Sequence, residues 1–149
     1  MKIVLGFDDS PHAQAALQWL CAQRWPEAAQ VVVVSAVRAP VTAYAEVYAP
    51  AVPYPAEAVT EMTRHHEDLV ARARGALEPC GMATTTRVVQ GDPREVLVDI
   101  ARTEGADLVV VGSHGRTGLA KLVLGSVAAH VVGHAPCSVM VVKLKRPAK

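Results

Sequence analysis

Apolar residues in this chain come in two rhythms. Five short runs are apolar on nearly consecutive positions: KIVLGF at Lys2–Phe7, QVVVVSAV at Gln30–Val37, TTTRVVQ at Thr84–Gln90, DLVVVG at Asp107–Gly112 and CSVMVVK at Cys137–Lys143. Between them the apolar residues recur every three or four positions, the period of a helix with one buried face. Such a helix is expected from Pro11 to about Arg24, with Ala13, Ala16, Leu17, Leu20 and Cys21 inward and Trp25-Pro26 as the stop. A longer one is expected over roughly Glu57–Glu78, with Val59, Met62, His66, Leu69, Val70, Ala73 and Leu77 on one face and Pro79 and Gly81 closing it.

Start signals sharpen the reading. Ser10 before Pro11 is a cap followed by proline at the first helical position, and Gly91-Asp92-Pro93-Arg94-Glu95 repeats the device with a first-turn acid. The helix from Pro93 turns Val96, Leu97, Ile100 and Ala101 inward and stops at Gly105, and a last helix is expected over about Ser126–Gly133. Strand and helix therefore alternate from end to end, and strands apolar on both faces need cover on both. The expectation is an α/β fold, an open and mostly parallel sheet with right-handed crossovers and helices on both faces.

The stretch from Arg38 to Ala56 breaks the alternation, with Pro40, Pro50, Pro53 and Pro55 and all three tyrosines, Tyr44, Tyr48 and Tyr54. It reads as a long loop, either a lid or partner surface or an insertion without fixed structure. Elsewhere the composition does not shift, and the 149 residues are expected to form one domain over 1–149. Hydrophobic residues are 51% of the chain but aromatics only 4%, so the core must be aliphatic. A net charge of +1, with a basic run only in the terminal KLKRPAK, argues against a nucleic-acid partner. The start MKIVLGFDDSP sets a short apolar run against two acids and a proline, neither a signal peptide nor a membrane span. Cys21, Cys80 and Cys137 are too few and too scattered for a disulfide framework and offer no C-x-x-C, so a reduced, cytoplasmic setting is expected, with Cys21 and Cys137 as small core residues.

Candidate chemistry concentrates after the fourth apolar run, in VGSHGRTGLAKLVLGSV at Val111–Val127. Gly112, Gly115 and Gly118 carry no Cβ, so a ligand can approach the backbone and its amides can form an anion nest. Ser126 opens the last helix, where a hydroxyl and free first-turn amides suit a small anion. In an open parallel sheet ligands bind beyond the carboxyl ends of the strands, where Gly112 falls. Neither G-x-x-x-x-G-K-[ST] nor a G-x-G-x-x-G in GFDDSP is present. His65-His66-Glu67 and the i, i+4 pair His130 and His134 lack a local third ligand and read as surface or packing residues.

The spacing Gly112, Gly115, Gly125, Ser126, which is G-x2-G-x9-G-S, resembles the nucleotide-binding branch of the universal stress protein family. The likeness extends to KIVLGFDDSPHAQAAL, to GDPREVLVDIARTEGADLVVVGSHGRTGL and to LGSVAAHVVGHAPCSVMVV, in the family's order. It implies a doubly wound five-stranded sheet of order 3-2-1-4-5, of the adenine-nucleotide alpha-hydrolase-like kind. It also implies ATP or a related adenine nucleotide, with Mg2+ or Mn2+, at the carboxyl edge between the first and fourth strands. Under it Asp8 accepts hydrogen bonds at the ribose or adenine side and Val37 meets adenine through its backbone. Gly112, Gly115, Gly125 and Ser126 cradle phosphate, Val111 and Val127 line the pocket, and Arg116 reaches the outer phosphates. Where the family commonly has glycine this chain has Asp9, a carboxylate that either helps hold a divalent cation or repels phosphate. The implied function is a stress-response sensor or switch with at most slow hydrolysis, homodimeric through Ser138–Val142; a nucleotide-free interaction dimer and a slow ATPase are the alternatives.

Overall fold

The structure is a computed structural model that describes residues 1–38, 56–115 and 124–144. Five strands, β1 (Lys2–Gly6), β2 (Gln30–Val37), β3 (Ala83–Gln90), β4 (Leu108–Gly112) and β5 (Ser138–Val142), form one parallel sheet in the order β3-β2-β1-β4-β5. Between them run α1 (Pro11–Ala22), α2 (Ala56–Leu77) with a 3-10 turn at Glu78–Cys80, α3 (Pro93–Thr103) and α4 (Ser126–His134). The proline and tyrosine segment 39–55, Arg116, Gly118 and the basic tail beyond Leu144 lie outside the described residues.

Consecutive apolar positions in the strands become two cores because successive side chains point to opposite faces. Ile3, Leu5, Val31, Val33 and Val110 pack with Ala16, Leu20, Val70 and Leu77 of α1 and α2. Val4, Val32, Val34, Val109 and Val111 pack on the other face with Val96, Leu97, Ala128 and Val131 of α3 and α4. Each valine, leucine or isoleucine side chain so buried contributes about 1.5–3 kcal/mol. At the sheet edges the pattern thins: β3 alternates exposed and half-buried positions through its threonines, while β5 keeps Val139, Met140, Val141 and Val142 half-buried.

Local signals act as read. Ser10 caps α1 by accepting from the Ala13 amide at 3.1 Å, and Asp92 caps α3 by accepting from the Arg94 amide at 2.9 Å, each with proline next. Helix α1 ends at Ala22, two residues short of expectation, because Gln23 is already extended. Gly81, at φ 80°, supplies the left-handed turn that ends the α2 region.

One expectation needs correction, and one position left open is placed. Cys21 and Cys80, read as unbridged, form a disulfide with Cα atoms 5.4 Å apart and a sequence separation of 59. The pairing follows from α1 and α2 lying on one face of the sheet, which brings the end of α1 to the 3-10 turn. Asp9 has φ 62°, left-handed backbone for a non-glycine residue. Its carboxylate accepts from Gln14 Nε2 at 2.7 Å and from Arg72 Nη2 at 3.3 Å, joining the β1–α1 turn to α2.

Left-handed backbone costs a residue with a Cβ about 1–2 kcal/mol. Asp9→Gly and Asp9→Ala lose the same two contacts, but only glycine recovers that cost. The glycine variant should therefore be about 1 kcal/mol more stable than the alanine variant in urea unfolding; equal midpoints would contradict the assigned backbone geometry.

Candidate functional site

The chain leaves β1 and β4 side by side but toward opposite faces, β1 into α1 and β4 toward α4, so a crevice opens between their carboxyl ends. On the β1 side the Phe7 amide donates to the Val34 carbonyl at 2.9 Å and extends the ladder one residue. Asp8 Oδ1 then accepts from the Ser10 amide at 3.1 Å, which fixes the carboxylate over the start of α1. A buried relay braces this turn from α2. The Ser35 hydroxyl donates to the Phe7 carbonyl at 2.8 Å, and His66 Nδ1 lies 2.8 Å from the Ser35 hydroxyl oxygen. Since the hydroxyl has one proton and gives it to Phe7, His66 Nδ1 carries the proton it donates to Ser35.

On the β4 side the glycines answer to the protein's own atoms. A Cβ at Gly112 would come within 2.6 Å of the His12 carbonyl carbon and 2.8 Å of the Ala13 nitrogen, both backbone. One at Gly115 would meet Asp8 Oδ2 at 2.9 Å, and one at Gly125 would meet the Ser113 oxygen and His114 Cα at 3.1 Å. None of the three has left-handed φ, so close approach, not conformational freedom, requires them. The Gly125 amide donates to the Ser113 carbonyl at 2.8 Å and pins the start of α4 to the end of β4. Gly125, with extended backbone, is the N-cap of α4, and no side chain caps that helix. Ser126 is its first residue.

These approaches leave a cleft of about 470 Å³, the size of many small-molecule sites. Val34, Ala36, Pro93 and Leu97 make one apolar stretch of its wall, and Asp8, His114, Gly115, Gly125, Ser126 and Val127 another, more polar one. Of the residues singled out from sequence, Asp8, Val111, Gly112, Gly115, Gly125, Ser126 and Val127 all line it. Val37 does not: it is buried and its carbonyl accepts the Gly91 amide at 3.0 Å, while Ala36 and Arg38 on either side reach the cleft. Asp9 faces away, held by Gln14 and Arg72 as above.

Arg38, Pro93 and Leu97 were not picked out from sequence, because a residue just past a strand and two on a helix face give no local sign of converging. Arg38 Nη2 binds Asp92 Oδ1 at 3.1 Å, and Arg94 Nη2 binds Asp92 Oδ2 at 2.6 Å. The Arg94 side chain foremost, with its amide and Arg38 adding, holds the Asp92 carboxyl well below the usual carboxylate range. His114 stands near His12, ring centroids 5.1 Å apart, and its Nδ1 is 3.2 Å from Ser113 Oγ. His130 and His134 stack with centroids 4.1 Å apart, and His130 Nε2 lies 3.2 Å from Glu95 Oε1. Among the described residues no three His, Cys, Asp or Glu side chains converge as a metal site.

Residues 1–143 match the Universal stress protein family. The chain belongs to this family. It is 35% identical to Universal stress protein MJ0531 of Methanocaldococcus jannaschii over 111 residues, which is 66% of this chain and 65% of that protein. With Universal stress protein MJ0577 of the same organism it shares 35% over 89 residues, 60% of this chain and 55% of that one. The aligned stretches thus span between about half and two thirds of these relatives. The solved structure of MJ0577 superposes with a TM-score of 0.80 at 29% identity, covering 98% of this chain and 97% of that one. An Arabidopsis thaliana universal stress protein family protein, At3g01520, solved with AMP bound, superposes at 0.65 with 18% identity, covering 97% and 92%, a likeness of fold.

The glycine contacts separate two substitutions. Gly112→Ala sets a methyl against backbone on the first turn of α1 and should cost about 1–3 kcal/mol. Gly115→Ala meets only a carboxylate that can rotate, and should cost about 1 kcal/mol or less. Urea unfolding of both decides it; equal losses would contradict the close approach of α1 to Gly112.

Proposed function

We infer that the cleft binds an adenine nucleotide, ATP in the first instance, and that the protein is a nucleotide-dependent sensor or switch of the stress response. The observation that carries this is the convergence of Asp8, Gly115, Gly125 and Ser126 with an apolar wall in one cleft at the carboxyl ends of β1, β2 and β4. The planar base suits the apolar stretch of Val34, Ala36, Pro93 and Leu97, a hydroxyl-bearing sugar suits the Asp8 carboxylate, and phosphate suits the uncapped start of α4 with the Ser126 hydroxyl. Arg116, which follows Gly115 in sequence, reaches the outer phosphates in this reading. Gly112 and Val111 shape the site from beneath, and Val37 acts by positioning Ala36 and Arg38. The AMP carried by the Arabidopsis protein of the same fold is consistent with it.

A divalent cation, Mg2+ or Mn2+, belongs to the reading as a companion of the phosphates. The described residues offer no preformed set of ligands for it, and Asp9 is engaged elsewhere. The nucleotide's own oxygens would have to supply most of its coordination.

In the same reading the unit is a cytoplasmic homodimer, each chain a single domain over residues 1–149. β5 is an edge strand whose Val139–Val142 stretch is apolar and half-buried, whereas the other edge, β3, is broken by threonines and Arg87. An apolar edge of that kind calls for a partner strand, and a second copy related by a two-fold axis supplies one. No helix among the described residues is long and apolar enough to cross a membrane.

Titration of Mg-ATP by calorimetry tests the site. Wild type should bind. Ser126→Ala should bind about ten- to a hundredfold more weakly, the loss of one hydrogen bond to a charged group, and Gly115→Val should lose binding by displacing Asp8. Equal affinity in all three would sink the assignment. Light scattering should give twice the chain mass; a monomer at high concentration would refute the β5 interface.

A further inference from the structure

The disulfide lies apart from the cleft and serves no part of the proposed nucleotide chemistry. Cys21 closes the last turn of α1 and is half-buried against the core, whereas Cys80 ends the 3-10 turn and is exposed. The bridge closes a covalent loop that contains β2, segment 39–55 and all of α2.

Two features make both redox states structurally comfortable. The Ala76 carbonyl oxygen lies 3.6 Å from Cys21 Sγ and 3.3 Å from Cys80 Sγ, so each thiol would find an acceptor already in place once the sulfurs carried hydrogens. Most of α2 is seated without help from the bridge, since its Leu69, Val70 and Ala73 side chains are buried. The polar ties of Arg72 to Asp9 and of His66 to Ser35 hold the same helix from further along.

We propose that Cys21 and Cys80 form a reversible thiol–disulfide exchange site for low-molecular-weight thiols, entered at Cys80, whose opening loosens the C-terminal end of α2 without unfolding the sheet. A thiolate attacks the exposed Cys80 Sγ in line with the bridge; the Cys80–Cys21 bond breaks and its electron pair leaves on Cys21 Sγ, which takes a proton from water. A second thiolate attacks the outer sulfur of the mixed disulfide and releases Cys80 as a thiol. In sum two small thiols are oxidised to their disulfide while the protein bridge is reduced to two thiols, and the reverse sequence closes it. Cys137 is a built-in comparator: burial pushes its thiol up, with Asp107 adding, so it is a poor partner in exchange.

The test equilibrates full-length protein in mixtures of reduced and oxidised glutathione, quenches with acid, alkylates and maps cysteines by mass spectrometry, with hydrogen exchange on the two end states. The native oxidised protein should show the Cys21–Cys80 peptide and one alkylated cysteine, Cys137; the reduced protein should show three. Reduction should speed exchange in residues 74–81 and leave β1, β2 and β4 protected. Cys21→Ser should accumulate a glutathione adduct on Cys80, and Cys80→Ser should form one on Cys21 several-fold more slowly. Failure of the bridge to form in the most oxidising mixture would overturn the proposal. So would adducts favouring Cys137, loss of sheet protection on reduction, or equal adduct rates in the two variants. None of these outcomes depends on nucleotide binding.

Discussion

The architecture of the site depends on one close approach, the first turn of α1 lying directly on the backbone of Gly112 at the end of β4. A side chain there would push the helix off the strand. Because it is absent, the turn after β1 and the loop after β4 interlock. Asp8 sits over Gly115, Ser10 Oγ lies 3.5 Å from the His114 carbonyl oxygen, and Ser113 accepts the Gly125 amide to bring α4 in. The crevice that any doubly wound sheet opens at this point thereby acquires a fixed shape, with a carboxylate on one lip and a helix start on the other.

The same turn is held from behind. Phe7 and Asp9 flank Asp8 in sequence, and both are tied to α2, Phe7 through Ser35 and His66 and Asp9 through Arg72. Helix α2 is in turn fastened to α1 by the disulfide at its far end. A left-handed Asp9 is intelligible in this setting, since the strain at φ 62° is offset by two side-chain contacts that glycine would not make.

The element order, the two-faced burial of the strands and the caps at Ser10 and Asp92 were legible in sequence because each rests on local spacing. The sheet order came through resemblance, and the structure has it. Other features were illegible for identifiable reasons. Pairing of Cys21 with Cys80 depends on two helices sharing a face, which a separation of 59 residues does not reveal. The glycines signalled close approach correctly but not what approaches: at Gly112 it is α1, and at Gly115 a carboxylate of the same chain. Alternation along β2 puts Val34, Ala36 and Arg38 on the cleft side and Val37 on the other; the role given to Val37 came through resemblance and concerned its backbone, whose carbonyl is taken by the Gly91 amide.

Under the proposed function the interlocked turns form a preformed cradle for an adenine nucleotide. The most direct measurement is a nitrogen-15 amide spectrum of the protein titrated with Mg-ATP. The predicted result is that the largest shifts fall on the amides of Gly115, Gly125, Ser126 and Val127, with smaller ones at Asp8 and Ala36. Largest shifts on α2 or on β3, with the amides at the start of α4 unmoved, would contradict it.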